Sequence, residues 1–201
     1  MLEAKNISFS YIKSKKILDD ISLEFGENEI VGIIGPSGCG KSTFSKILAG
    51  YLKPTQGEVL FDNEPLPKKG YCPVQLIYQH PEYAVNPKWK MQQVVTEAWD
   101  IDKETLDAFG IKEEWLTRWP SELSGGELQR FCIARALGEK TKFLIADEMT
   151  TMLDAVTQAY IWNIVVAQVR KRGIGMIVVT HNHALAERVC DRILDFEQIL
   201  K

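Results

Sequence analysis

The sequence predicts an α/β fold, in which helices flank a mostly parallel sheet, with an N-terminal antiparallel β subdomain and a small inserted helical subdomain. In the second half of the chain, short apolar runs alternate with helical patterns, as they do in parallel sheets. Near the N-terminus, apolar and polar residues alternate through two successive stretches, as in half-buried antiparallel strands. Between residues 81 and 122, three prolines and four of the five tryptophans interrupt the strand pattern, which predicts the helical insertion.

The individual elements follow from these patterns in chain order. Residues 2–11 and 16–25 alternate as two antiparallel strands, and residues 30–34 form a buried strand that ends at a glycine. A helix is predicted from Lys41 to about Ala49, because glycine and then proline follow it. The remaining predicted elements are a strand and turn at 57–66, a helix that opens with the glycines at 125 and 126, a strand at 142–147, a helix over about Asp154–Lys171, a strand at 175–180, a short helix from about His183, and a strand at 192–196.

Composition limits the class of protein. With 201 residues, 45% of them hydrophobic and 25% charged, the chain is predicted to form one globular domain with a substantial core. A net charge of −3 disfavours direct binding to nucleic acid or to an anionic membrane surface. No apolar run reaches the length of a membrane span, and the first residues lack a signal-peptide pattern. Four scattered cysteines without metal-binding spacing favour reduced thiols in the cytoplasm.

Residues 35–43 read GPSGCGKST, the Gly-x-x-x-x-Gly-Lys-Ser pattern of a P-loop. The segment follows a predicted buried strand and opens a predicted helix, so we expect a P-loop NTPase core. Its glycines let backbone N–H groups turn toward phosphate oxygens. Lys41 would bring its charge to the β- and γ-phosphates, and Ser42 would offer its hydroxyl to Mg²⁺. The predicted nucleotide-binding residues of this loop are Gly35, Pro36, Ser37, Gly38, Cys39, Gly40, Lys41, Ser42 and Thr43.

Two consecutive carboxylates end the apolar strand at 142–147. Asp147 is its last residue and Glu148 follows directly. At the edge of a sheet, the first would help to hold Mg²⁺ and the second would orient or deprotonate an attacking water. An apolar run that ends in acids is also an ordinary strand end, but the P-loop elsewhere in the chain favours the catalytic interpretation.

Two further polar residues follow predicted strands. His181 comes after the apolar run that ends at residue 180, and Gln79 follows a short apolar strand. A histidine there is either a loop residue or a member of the same rim as Asp147. The amide of Gln79 can orient water or contact Mg²⁺, or it can simply be solvated in a loop.

A second phosphate site is predicted within PSELSGGELQR, residues 120–130. Ser124 precedes Gly125 and Gly126 at the start of a helix, where free N–H groups and the positive end of the helix dipole favour an anion. The chain therefore carries two predicted phosphate sites, which raises the question of what the second one serves.

Taken together, the motifs resemble the nucleotide-binding subunit of an ATP-binding-cassette (ABC) transporter. They occur in the order of that family along essentially the whole chain: Tyr11, the P-loop, Gln79, LSGGE at 123–127, LIADE at 144–148, the pair Leu153 and Asp154, and His181. LSGGE between a P-loop and such a strand is specific, because other P-loop ATPases lack it. The resemblance implies one ATPase domain over residues 1–201, with the core and β subdomain at 1–80 and 123–201 and the helical subdomain at 81–122.

The resemblance also implies ligands and residue roles. ATP and Mg²⁺ would be bound, with Ser42, Gln79 and Asp147 near the metal, and the predicted catalytic residues are Lys41, Gln79, Glu148 and His181. Tyr11 would stack on adenine, unless it is an ordinary aromatic residue at a strand end. His181 would contact the γ-phosphate, and Asp154 would lie at a dimer seam. Ser124, Gly125 and Gly126 would bind the ATP held by the opposite chain, which answers why one chain carries two phosphate sites.

Two segments are similar to the ATPases of the peptide, nickel and opine importer group: QHPEYAVNPKW at 79–89 and TTMLDAVTQA at 150–159. Met149 and Met152 depart from that family, which usually has proline and alanine there. The implied partners are an identical or paralogous second cassette, integral membrane permease subunits and an extracytoplasmic substrate-binding protein, with the chain at the cytoplasmic face of the membrane. The alternative is a soluble ABC ATPase that acts in a metabolic or nucleic-acid-associated complex.

Overall fold

The computed structural model describes residues 1–12 and 15–200, which form two compact units. The sheet unit contains three segments: the chain up to Leu76, the segment Lys142–Asp147, and the chain from Gly173 onward. The helical unit takes Ile77–Thr141 and Glu148–Arg172. The α/β fold predicted from the sequence is confirmed, because one sheet is antiparallel and the other is built from parallel strand pairs.

In chain order the strands and helices are β1 (Leu2–Phe9), β2 (Leu18–Phe25), β3 (Ile30–Ile34), α1 (Lys41–Leu48), β4 (Gln56–Phe61), β5 (Glu64–Pro65), β6 (Val74–Ile77), α2 (Met91–Val95), α3 (Lys103–Ala108), α4 (Gly125–Ala136), β7 (Phe143–Asp147), α5 (Ala155–Arg172), β8 (Gly175–Thr180), α6 (His183–Val189), β9 (Arg192–Asp195) and α7 (Phe196–Ile199). Short 3-10 turns lie at Pro81–Tyr83, Glu113–Trp115 and Pro120–Glu122.

The antiparallel sheet has the order β2-β1-β4-β5. Both β2 and β4 pair with β1, and Leu2 lies opposite Phe25 on one side and Phe61 on the other. The aromatic ring of Phe61 meets that of Phe143 edge to face, with 6.1 Å between the centroids. The pattern near the N-terminus thus corresponds to an antiparallel sheet, whose strand β1 has buried residues on both faces.

The second sheet has the order β6-β7-β8-β3-β9, and β7, β8, β3 and β9 pair in parallel. Every residue of β3, β7 and β8 is buried, which explains why their sequences are continuous apolar runs. Ile34 lies opposite Thr180, and Asp147 lies opposite Val179. The carboxyl ends of these strands therefore share one edge of the sheet, and the segments that follow them begin there.

The helices of the sheet unit contact this sheet. α1 lies against β7 and β8, and α6 lies against β3 and β8. Phe44 of α1 and Phe196 of α7 are both fully buried, and their ring centroids are 5.5 Å apart. These contacts anchor α1, the helix that opens at the end of the P-loop.

The last strand is shorter than the sequence predicts. β9 ends at Asp195, and residues from Phe196 form α7 rather than a continued strand. The carboxylate of Asp195 accepts a hydrogen bond of 3.0 Å from the backbone N–H of Glu197. An aspartate at this position caps a helix, and it overrides the strand pattern that Phe196 would otherwise extend.

Side chains cap the helices of the helical unit. Asp102 accepts from the N–H of Thr105 to begin α3, and Asp154 accepts from the N–H groups of Val156 and Thr157 to begin α5. α2 and the 3-10 turn at Pro81–Tyr83 both contact α4. This unit extends beyond residues 81–122, so the boundaries predicted for the inserted subdomain stay a prediction. Among the described residues, no helix is long and apolar enough to cross a membrane.

Candidate functional site

The P-loop connects β3 to α1 and depends on glycine conformation. Gly38 has a φ of 83° and Gly40, the N-cap of α1, has a φ of 110°. Residues other than glycine rarely adopt this left-handed backbone conformation. A Cβ on Gly40 would also lie 3.1 Å from both Ile17 Cγ2 and Leu18 Cδ2, which is too close for an ordinary contact. The loop therefore keeps its shape only with glycine at these positions.

Lys41 points back into the loop. Its Nζ donates to the carbonyl oxygens of Gly35 at 2.7 Å and Pro36 at 2.8 Å, and it lies 3.9 Å from Cys39 Sγ. The residue is buried, although its ammonium group is polar. The carbonyl groups of the loop thus accept hydrogen bonds from the Lys41 ammonium group. A phosphate that binds in the loop would replace them as a stronger, charged acceptor.

Ser42 and Asp147 meet in the sheet unit. Ser42 Oγ donates to Asp147 Oδ1 over 3.1 Å, and only 5% of the surface of Asp147 is exposed. A hydroxyl and a carboxylate oxygen side by side are hard ligands of the kind that Mg²⁺ takes, together with waters and substrate phosphates. Within residues 1–12 and 15–200 no cluster of three or more His, Cys, Asp or Glu side chains is able to hold a metal. The pair fits a Mg²⁺ whose other ligands are waters and substrate phosphates.

Tyr11 and His181 are exposed residues of the same unit. Tyr11 is 59% exposed, its hydroxyl lies 3.3 Å from Thr43 Oγ1, and its ring meets Phe9 edge to face at 4.8 Å. A flat aromatic surface therefore stands beside the first turn of α1. His181 is exposed and directly follows β8, at the edge where β3 enters the P-loop.

Gln79 and Glu148 meet in the helical unit. Gln79 Nε2 donates to Glu148 Oε2 over 3.2 Å. Glu148 has a φ of 48°, a left-handed conformation that costs a non-glycine residue about 1–2 kcal/mol. Such strain in the residue that directly follows Asp147 is typical of a functional side chain whose direction matters more than its local stability. The predicted contact of Gln79 with Mg²⁺ stays a prediction.

Ser124 begins α4 through a reciprocal capping box. Its Oγ accepts from the N–H of Glu127 at 3.3 Å, and Glu127 Oε2 accepts from the N–H of Ser124 at 2.7 Å. That backbone hydrogen bond from Ser124 holds the pKa of the Glu127 carboxyl below its ordinary value. The cap thus aligns the first N–H groups of α4 toward solvent, where an anion is able to approach.

A cleft of about 670 Å³ lies over this helix start, between Ser124–Glu127 and Met152–Asp154. A Cβ on Gly126 would lie 2.9 Å from Leu153 Cδ2, and one on Gly125 would lie 3.2 Å from Met152 Sδ. Side chains at the two glycines would therefore press against Met152 and Leu153 on the other wall of the cleft. The hydrogen bond from Thr157 holds the pKa of Asp154, on the same wall, below its ordinary value.

The structure brings the predicted residues together in three sets. In the sheet unit, contacts join Tyr11 with Thr43 and Ser42 with Asp147; in the helical unit, one contact joins Gln79 with Glu148, and Ser124, Gly125, Gly126 and Asp154 line one cleft. Sequence reasoning missed Gln129 of α4, whose amide donates to the carbonyl of Tyr78, next to Gln79. A signal was present, because Gln129 is a polar residue among apolar ones on the buried face of the helix.

The fold and these sets define a P-loop ATPase with a Ser-Gly-Gly helix. The family model described as ABC transporter matches residues 18–151. The nickel import system ATP-binding protein NikE of Staphylococcus aureus, strain bovine RF122 / ET3-1, is 36% identical over 96% of this chain and 85% of its own length. NikE of strain USA300 is 35% identical over the same shares. The chain therefore belongs to the ABC transporter family.

Two solved structures agree with this assignment. The dimeric structure of MJ0796, a bacterial ABC transporter cassette, has a TM-score of 0.84 and 28% identity over 97% of this chain and 94% of its own. The same cassette in a post-hydrolysis state, bound to ADP and Pi, has a TM-score of 0.83 and 27% identity. The chain is thus an ATP-binding subunit of this family, with ATPase as its activity.

Proposed function

We propose that the chain hydrolyses ATP to energise import of nickel or a related small solute through partner membrane subunits. The contact between Ser42 and Asp147 at the carboxyl edge of the parallel sheet carries the ATPase part of this proposal. The similarity to NikE, a nickel import system ATP-binding protein, supports the solute. The same proposal covers residues 1–201 as a single ATPase domain.

The sheet unit binds the nucleotide in this proposal. Backbone N–H groups of residues 35–43 surround the phosphates, Lys41 exchanges its carbonyl acceptors for the β- and γ-phosphate oxygens, and Tyr11 stacks on the adenine. Ser42 and Asp147 would hold Mg²⁺, which supplies charge neutralisation on the phosphate oxygens when it is bound. His181 donates a hydrogen bond to the γ-phosphate from the end of β8.

The helical unit contributes the group that activates water. Glu148 accepts a proton from the water whose oxygen attacks the γ-phosphorus, as the bond to the ADP oxygen breaks. Gln79 fixes the carboxylate for this task through the 3.2 Å bond from its amide. The products are ADP and phosphate, and the proton on Glu148 passes to solvent.

The second phosphate site serves a second chain. Ser124, Gly125 and Gly126 present N–H groups and a hydroxyl to the γ-phosphate of the ATP that the partner cassette binds, and Asp154 lies at the seam. The similar cassette MJ0796, whose solved structure is dimeric, supports this arrangement. The partner is a second ABC ATPase, identical or paralogous.

Transport requires further components. We propose that integral membrane permease subunits hold the chain at the cytoplasmic face of the membrane, and that an extracytoplasmic binding protein delivers the solute. We propose no direct contact with nucleic acid, since the net charge of −3 disfavours binding to phosphate backbones.

A Glu148→Gln variant tests the proposal. The amide keeps the size of the side chain but removes the base, so we expect ATP hydrolysis to fall by about 100-fold or more while ATP binding persists. The trapped ATP should produce dimers in light scattering, whereas a Lys41→Ala control should lose ATP binding and remain monomeric. A Glu148→Gln protein that stays monomeric at saturating ATP would overturn the dimeric mechanism.

The same variant tests which solute the transporter imports. Cells that carry Glu148→Gln in place of the natural residue should lose uptake of radioactive nickel, because one inactive cassette stops the transport cycle. Nickel uptake equal to that of wild-type cells would exclude nickel as the solute, and loss of dipeptide uptake in the same cells would instead assign a peptide.

A further inference from the structure

One side of α4 holds the backbone of the segment that contains Gln79. Three side chains of the helix, each three residues after the last, donate to three carbonyl groups that are also three residues apart. Gln129 Nε2 donates to Tyr78 over 3.0 Å, Cys132 Sγ to Pro81 over 3.9 Å, and Arg135 Nη2 to Ala84 over 2.7 Å. We call this set of three bonds the carbonyl ladder. Because side chains three apart lie on one face of a helix, the ladder clamps residues 78–84 along two turns of α4.

Gln129 forms the hydrogen bond of the ladder that is nearest to Gln79 in the chain. Burial of its polar side chain costs free energy. Only 1% of its surface is exposed, and its Oε1 has no hydrogen-bond partner among the described residues. A buried amide oxygen without a donor destabilises the folded state. An apolar side chain of equal length would avoid that cost, so stability alone does not explain glutamine at this position. What the glutamine side chain does provide is an N–H donor to the carbonyl of Tyr78.

Of the other two hydrogen bonds, the thiol contact of Cys132 at 3.9 Å is the longest and that of Arg135 at 2.7 Å is the shortest. Burial raises the pKa of the Cys132 thiol to about 11, so the thiol keeps its proton at neutral pH and remains a donor to Pro81. Arg135 Nη1 also binds Glu97 Oε2 at 3.1 Å, and the carbonyl of Arg135 accepts from Trp99 Nε1 at 3.1 Å. Glu97 thus holds the guanidinium and Trp99 holds the backbone of Arg135, while the guanidinium donates to Ala84.

The ladder ends beside the catalytic carboxylate. The carbonyl that Gln129 holds belongs to Tyr78, and the next residue, Gln79, donates to Glu148. The same N-terminal half of α4 starts at its N-cap Ser124, over the cleft. We propose that α4 is a positioning element for Gln79, and that Gln129 is a positioning residue which sets the Gln79–Glu148 contact through the Tyr78 carbonyl. This inference rests on the proposed roles of Gln79 and Glu148 in hydrolysis.

The first test measures how firmly the carbonyl ladder holds residues 78–84, and it does not depend on ATPase activity. Gln129→Met keeps the length of the side chain and removes both the donor and the unpartnered oxygen. We expect amide hydrogen exchange at Tyr83 and Ala84, whose N–H groups bond to His80 and Pro81 within the segment, to rise about fivefold. The melting temperature should change little, since the loss of the donor to Tyr78 and the removal of the unpartnered oxygen act in opposite directions. A matched control is Thr141→Val, which removes a buried donor to the carbonyl of Ala136 on the same helix.

The control separates the ladder from general loosening. Thr141→Val should leave exchange at Tyr83 and Ala84 at the wild-type rate. Gln129→Asn is a second variant, because its amide is one methylene too short to reach Tyr78, and it should match Gln129→Met. Wild-type exchange at both amides in both variants would overturn the ladder as a clamp.

The second test is a double-mutant cycle with Gln79. Gln129→Met should lower kcat for ATP hydrolysis about tenfold and leave KM within about twofold, because a small displacement of a catalytic side chain affects the reacting state. In a Gln79→Ala background the same substitution should change kcat by less than about twofold, since the side chain it positions is gone. An equal loss of kcat in both backgrounds would show a purely structural role and overturn the proposal.

The two tests fail in different ways. A wild-type protein without ATPase activity would refute the proposed function, and the exchange measurement would still decide whether the ladder clamps residues 78–84. Normal wild-type activity with equal losses in both backgrounds would refute the positioning role alone.

Discussion

At the scale of single residues, Cys39 places a free thiol inside the P-loop. It is half-buried, its N–H donates to the carbonyl of Pro36 at 3.4 Å, and its Sγ lies 3.9 Å from Lys41 Nζ. A Cβ on Gly35 would lie only 3.2 Å from this sulfur, so the loop has little spare room around it. A group attached to the thiol would therefore occupy space that the phosphates need.

Alkylation of Cys39 should weaken ATP binding at least about tenfold, which corresponds to about 1.4 kcal/mol. Bound ATP should protect the thiol, because the phosphates cover the loop. Mass spectrometry of the modified peptide, together with a nucleotide-binding titration, measures both effects, and a Cys39→Ala protein treated in the same way is the control. Full ATPase activity after complete modification would contradict this expectation.

At the scale of elements, β9 is the edge strand that lies next to β3 and is attached by an ion pair. Arg192 donates to Glu29 Oε1 at 2.9 Å and Oε2 at 3.2 Å, and to the carbonyl of Glu24 at 3.0 Å. The hydrogen bond from Arg192 holds the pKa of the Glu29 carboxyl below its ordinary value. The pair thus joins β9 to the residue directly before β3, the strand that leads into the P-loop.

Glu29→Gln should lower the free energy of unfolding by roughly 0.5 kcal/mol at pH 7, a modest value because both partners are partly exposed to solvent. The pKa of Glu29 is lowered by folding, so its stabilisation is present above the unfolded value of 4.5 and is lost as the pH falls through the folded value. Urea unfolding at pH 7 and at pH values below 4.5 should therefore show the difference between wild type and variant shrinking in acid. Glu187→Gln, at an exposed position on α6, is the control, and a constant difference at all pH values would contradict the linkage.

At the scale of the whole molecule, the two phosphate sites imply that the active form is a pair of chains. In the proposed mechanism the P-loop holds the chain's own ATP, and the partner's nucleotide closes the cleft at Ser124–Gly126. On that proposal one chain binds ATP alone but needs a second chain to stabilise the transition state.

Ser124→Arg should leave the affinity for ATP within about threefold and abolish both hydrolysis and ATP-dependent dimers, because a long side chain fills the cleft beside Gly125. Loss of the N-cap itself costs about 1 kcal/mol, which a folded domain tolerates. Ser124→Asp preserves the cap and adds a negative charge against the phosphate, so it should give the same result. Nucleotide titration and light scattering measure the two effects, and loss of ATP binding in both variants would refute the two-chain account.

Features formed by contiguous residues could be predicted from the sequence, whereas contacts between residues far apart in the chain could not. The P-loop, the paired carboxylates and the Ser-Gly-Gly helix are contiguous segments, and the apolar runs of β3, β7 and β8 are visible because both faces of these strands are buried. The helix at Phe196 escaped prediction, since the cap by Asp195 competes with an apolar pattern that also suits a strand. The role of Gln129 escaped it too, because its partner Tyr78 lies 51 residues away along the chain.

The sequence by itself determined the fold class, the strands and helices that carry the motifs, and the family, because glycine conformation, strand burial and motif order are local properties of the chain. Only the tertiary structure decided which side chains meet: Ser42 with Asp147, Gln79 with Glu148, and Arg192 with Glu29. These pairs are separated by 105, 69 and 163 residues. Contacts over such distances depend on how the strands are ordered and how the helices pack, and no local pattern specifies that.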